Sequence, residues 1–180
     1  MAKKYLFLET TTARAGADDG PAGGSGKLLD IKIATSTTQQ LVTTETWTDV
    51  TDLSITHTPA SASNKIRLRA VVQCGTNAQL SVVMIRLMRG STPIGVGVVS
   101  GSRNASSAVG MSRGNDDMLS LVSEFIDEPA TTSATTYSVQ FAPFGGGTTI
   151  RGTVNRSVNN TDADYGTGTL SSLTLEELAP

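Results

Sequence analysis

From residue 28 to the C-terminus, short runs of alternating apolar and polar residues recur, each ended by a Gly, Pro, Asn or Ser turn. A period of two puts successive side chains on opposite faces of an extended strand, and no stretch carries the 3.6-residue period of a helix. The clearest run is Lys65–Cys74, with Ile66, Leu68, Ala70, Val72 and Cys74 on one face and Lys65, Arg67, Arg69 and Gln73 on the other. The same alternation is expected to turn Leu53, Ile55 and His57 inward, as well as Leu119, Leu121 and Phe125, and Tyr137, Val139 and Phe141. In the first run, 28–34, it sets Leu29, Ile31 and Ile33 against Asp30 and Lys32, and the apolar set is expected to face the core. Further strands are expected over 40–50, 80–89, 93–99, 149–155 and 169–178. Nine or ten short strands at this spacing predict an all-β fold, an antiparallel, jelly-roll-like β-sandwich. Composition agrees, because 26 Thr and 19 Ser supply a quarter of the 180 residues, and β-branched Thr suits strands better than helices.

The chain divides into an N-terminal arm or linker, 1–27, and a sandwich domain, 28–180. Residues 13–26 are almost wholly Ala, Gly, Asp, Ser and Pro, without an apolar anchor. The arm has one sticky segment, Tyr5-Leu6-Phe7-Leu8, suited to docking on a neighbour. Its apolar run stops at Glu9, too short for a signal sequence. No run approaches the ~20 residues of a spanning helix. Two long polar loops, 100–117 and 156–167, stand out. The strand over 80–89 is apolar on both faces, with Val83, Ile85 and Leu87 opposite Leu80, Val82 and Met84, and one of its faces is expected against another subunit.

Reactive side chains are scarce. One His (His57) and one Cys (Cys74) cannot build a Cys/His zinc site or an internal disulfide. A net charge of −2 argues against a binder of many nucleic-acid phosphates. No G-x-S-x-G pattern offers a nucleophile for His57, so His57 is read as packed or interfacial. The carboxylates Asp116-Asp117, Asp127-Glu128, Asp162/Asp164 and Glu176-Glu177 are read as solvated loop acids. A calcium site at Asp162/Asp164 with Asn159 or Asn160 lacks the calcium-loop spacing. The glycines of Gly95–Gly101 lack the helix that a dinucleotide fingerprint requires. No cofactor, metal or catalytic residue is therefore assigned, and the chain is expected not to be an enzyme. Nine of its fourteen basic residues are Arg, whose planar fork suits carboxylates at interfaces.

Four segments then resemble a known domain: Thr51–Ile66 (TDLSITHTPASASNKI), Arg86–Gly95 (RLMRGSTPIG), Phe125–Gln140 (FIDEPATTSATTYSVQ) and Val154–Asp162 (VNRSVNNTD). Their order and spacing resemble a recurrent β-domain of tailed-bacteriophage virion proteins, tail-fibre-like and small structural ones, over roughly 29–178. The resemblance implies a β-sandwich, often homotrimeric, acting as a structural or attachment module without catalytic residues. The expected partners are other copies of the chain and a phage major capsid protein or tail component, with a host surface receptor if it is a fibre. No nucleic acid or membrane is expected, and the location is the virion, assembled in the host cytoplasm. The candidate interface comprises Tyr5, Leu6, Phe7, Leu8, Arg67, Arg69, Val83, Ile85, Leu87, Arg103 and Arg113.

Overall fold

A computed structural model describes residues 26–77, 81–145, 150–162 and 167–180. Among these residues there is no helix, and two antiparallel sheets face one another. The strands are β1 (Leu28–Ser36), β2 (Gln40–Val42), β3 (Thr48–His57), β4 (Lys65–Thr76), β5 (Val82–Arg89) and β6 (Thr92–Ile94), followed by β7 (Ala108–Met111), β8 (Leu119–Asp127), β9 (Thr135–Phe144), β10 (Gly152–Val154) and β11 (Ser171–Leu178). Sheet A runs β1-β11-β4-β10-β2, with β8 on the other edge of β4. Sheet B runs β3-β9-β5-β6, with β7 also on β5. The antiparallel β-sandwich expected from the alternation is the fold.

Strand β4 organises sheet A. It pairs with β11 over Lys65–Val71, with β10 over Cys74–Thr76, and with β8 over Ile66–Cys74. Its inward face is the predicted one, since Ile66, Leu68, Ala70, Val72 and Cys74 are all fully buried. Facing them from sheet B are Val83, Ile85 and Leu87 of β5 and Tyr137, Val139 and Phe141 of β9. This corrects one expectation. Val83, Ile85 and Leu87 are core residues with no accessible surface, because the sandwich itself covers that face of β5. Cys74 lies among these apolar neighbours, and burial pushes its thiol up to about 12. A thiolate-specific reagent at pH 8 is expected to leave native Cys74 unmodified and to label it on unfolding.

Strand β1 departs from expectation more sharply. Its inward residues are Asp30, Lys32 and Ala34, whereas Leu29, Ile31 and Ile33 are 46%, 49% and 63% exposed. Polar partners set this choice. The Lys32 ammonium donates to the Thr56 carbonyl at 3.1 Å, and the Asp30 carboxylate lies 3.6 Å from His57 Nδ1. The expected strand over 40–50 splits into β2 and the start of β3, and the loop over 100–117 contains β7.

Two close approaches hold the sheets in place. Gly95, at φ +60°, lies where an added Cβ would stand 2.7 Å from the Phe125 ring. Gly95→Ala is expected to cost about 2–3 kcal/mol through overpacking and left-handed strain, checked by urea denaturation. Asp127 joins β8 to sheet B by accepting from Arg89 Nη1 at 2.9 and 3.1 Å and from the buried Tyr137 hydroxyl at 2.8 Å.

Candidate functional site

Three places in the molecule gather polar or exposed apolar side chains in a way that could serve function. The first is a buried cluster at one end of the sandwich. His57 at the end of β3, Glu177 on β11 and the turn before β4 meet there. Glu177 Oε2 is 2.8 Å from His57 Nε2, and Oε1 accepts from the Ala60 N–H at 2.7 Å and from Asn64 Nδ2 at 2.6 Å. Burial pushes the Glu177 pKa up, but the hydrogen bonds from Asn64, Ala60 and His57 outweigh it and hold the carboxyl below its usual range. His57 is 4% exposed, so the packed-histidine reading holds. Among the described residues no Ser or Cys hydroxyl or thiol is bonded to it, and the polar side chains beside it are the carboxylates of Asp30 and Glu177.

The second is a groove of about 510 Å³ on the outer face of sheet B. It opens because the β3–β9 register breaks between Asp49 and Ser54, where Asp52 takes φ +67°. Its polar groups are engaged with one another. Gln140 donates to Asp49 at 2.9 Å and accepts from Arg86 Nε and Nη2 at 2.9 and 2.7 Å. The Arg86 guanidinium stacks 4.3 Å above Trp47, which meets Phe144 edge-on. Burial lowers the Arg86 pKa and Asp49 opposes the shift. Asp52 accepts from the Thr38 hydroxyl at 2.9 Å. Such mutual pairing fixes these side chains in place.

The third is the outer face of sheet A, and it is the candidate functional surface. Cross-strand register sets one row as Ile31–Glu176–Arg67–Ile126 and the next as Ile33–Thr174–Arg69–Glu124. Arg67 is ion-paired with Glu176 and reaches Glu124 at 3.9 Å. On either side of this charged centre lie exposed aliphatics, Leu28, Leu29, Ile31 and Ile33 on β1 and Val122 and Ile126 on β8. They are half of the twelve large hydrophobic side chains that stand exposed among the described residues, and they share one sheet. Scattered exposed aliphatics need no explanation, but a concentration on one face marks a contact surface.

The predicted interface residues are therefore only partly brought together. Arg67 and Arg69 lie side by side on this face, while Arg103 is exposed between β6 and β7 and Arg113 between β7 and β8. Val83, Ile85 and Leu87 are in the core, and Tyr5, Leu6, Phe7 and Leu8 lie outside the described residues. The aliphatics of β1, Val122 and Ile126 were not singled out from sequence, although the alternation of Leu29, Ile31 and Ile33 was the available signal. Asp162 is exposed on the loop after β10 and Asp164 lies outside the described residues. Among the described residues no three His, Cys, Asp or Glu side chains gather to hold a metal.

No family model and no curated protein sequence matches the chain. Three solved structures of infectious bursal disease virus share part of the arrangement. A mutant VP2 protein of infectious bursal disease virus in derived T=1 particles matches over 87% of this chain, with TM-score 0.44 and 11% identity. The T13 particle of that virus gives the same values, and its Gx strain matches over 85% of the chain with TM-score 0.40 and 10% identity. The chain spans only 40–43% of the length of those proteins. Likeness at this level says nothing of what this chain does.

Proposed function

We propose that this chain is a non-enzymatic bacteriophage virion structural protein, a decoration or cement protein that stabilises the head through subunit contacts. One observation carries the reading: the exposed aliphatics of β1 and β8 flank the Arg67–Glu176 pair on one face of a rigid sheet. Burying that face against a neighbour at ~25 cal/mol/Å² supplies binding energy without chemistry. The four-segment resemblance to phage virion domains points the same way. The second reading, a tail-fibre or receptor-binding knob, would put recognition on the loops over 100–117 and 156–167; the exposed Arg103 and Arg113 are what favour it.

Deleting the gene separates the two readings. Virions without the protein are expected to adsorb normally and to lose heat and osmotic stability. Normal particle stability with failed adsorption would overturn the decoration reading and support the knob.

A further inference from the structure

Strand β1 ends sheet A and, among the described residues, has no strand on its outer edge. Its sequence from Leu28 to Ala34 reads LLDIKIA. We propose that β1 pairs antiparallel with β1 of a second copy across a two-fold axis through Ile31, joining two copies of sheet A into one continuous sheet.

The register follows from self-complementarity. An antiparallel pair centred on Ile31 sets Ile31 against its own copy and Leu29 against Ile33 of the other chain. It thereby merges two exposed aliphatic stripes into one. On the inward face the same register sets Asp30 opposite Lys32 of the other chain, twice by symmetry. Directly opposed side chains on one face lie close enough for opposite charges to stabilise the pair. Moving the axis to Leu29 or Ile33 removes both charge matches, and a shift by one residue puts aliphatics against charges.

The backbone is compatible. The Ile31 N–H is taken by the Asp30 carboxylate at 2.9 Å, so it is not used in the ladder with β11 and turns to the open edge. In antiparallel strands a residue directs its N–H and C=O to the same side. Ile31 would thus exchange both hydrogen bonds with its own copy, freeing the Asp30 carboxylate for Lys32 of the other chain. The present Asp30 contact blunts an edge that would otherwise recruit any strand. Strand β8, which among the described residues pairs only with β4, does not offer the same match. Its outward stripe Val122–Glu124–Ile126, aligned on itself, brings two Glu124 carboxylates together.

The seam links copies whatever three-fold contact the resemblance implies, and it extends the assembly reading by naming which surface meets which partner. Its test is independent of location on a particle. Sedimentation velocity of the full chain, from low-micromolar to near-millimolar concentration, should show one association step. Asp30→Lys should abolish that step by placing Lys against Lys, and Lys32→Asp should abolish it by placing Asp against Asp. Mixing the two variants restores both opposite-charge pairs, so the mixture alone should regain the step. Circular dichroism of each variant confirms that the fold is kept. A wild-type chain monomeric at every concentration, an association step indifferent to either substitution, or a mixture that stays dissociated would each overturn the proposal.

Discussion

Glu177→Ala is expected to destabilise the protein by about 3–5 kcal/mol, the cost of breaking a buried, fully bonded ionic group. Glu177 is 2% exposed and serves three donors at once, His57 Nε2, the Ala60 N–H and Asn64 Nδ2. Truncation strands all three in a site closed to water. In thermal unfolding the loss should lower Tm by roughly 10 °C for a domain of this size. The group also sets an acid limit. The folded carboxyl titrates below its unfolded value of about 4.3. Near and below that pH the unfolded chain binds more protons than the folded one. The contribution is therefore present above about pH 4.3 and is lost as pH falls through the depressed folded value. Glu177→Gln keeps an acceptor oxygen and removes the titration. Its stability should vary less than the wild type's between about pH 5 and pH 3, as read from urea midpoints at each pH.

Asn155→Ala is expected to cost a comparable amount, about 4 kcal/mol, from three lost hydrogen bonds and one strained backbone position. Asn155 is fully buried at φ +62°. Its Nδ2 donates to the Ser36 carbonyl at 2.9 Å and to the Thr38 carbonyl at 3.1 Å. Its Oδ1 accepts from the Ser171 hydroxyl at 2.6 Å, and that hydroxyl accepts from the Gln73 N–H at 2.9 Å. One side chain thus ties the ends of β1 and β10 to the start of β11 and the middle of β4. Asn155→Gly removes the same hydrogen bonds and adopts the left-handed conformation without strain. It should be less damaging than Ala by about 1 kcal/mol. Equal losses for Ala and Gly would assign the whole effect to the hydrogen bonds.

The strands legible in the sequence are those whose two faces differ strongly in polarity. In β4 and β9 every residue of the expected inward set, Ile66, Leu68, Ala70, Val72 and Cys74 and then Tyr137, Val139 and Phe141, is buried. In β1 the alternation is equally clean and the inward face is reversed. Period two says that the faces differ, but an edge strand can turn its charged side toward partners that lie far off in sequence. Thr56 and His57 are those partners, and the Lys32 hydrogen bond and the 3.6 Å Asp30–His57 approach become visible only once β3 packs on β1. Strand β7 escaped notice because four residues are too few to show a period, whereas β10 lies within the strand expected over 149–155 and is shorter than it. The groove beside Asp49 was equally invisible, since it depends on the register break at Asp52 and not on a motif. Of the candidate interface, Arg67 and Arg69 were found through their outward phase on β4. Leu29, Ile31 and Ile33 beside them are expected in the core because exposed apolar stripes have the same sequence signature as buried ones, and Val122 and Ile126 carry no signal of their own.

A structural component of the virion must sit on the particle, and its location there is the most direct test of the proposed function. Purified particles carrying a C-terminally tagged copy can be labelled and imaged, and their protein content quantified. The expected result is label spread over the head at many copies per particle. Particles devoid of the protein after purification would contradict the account.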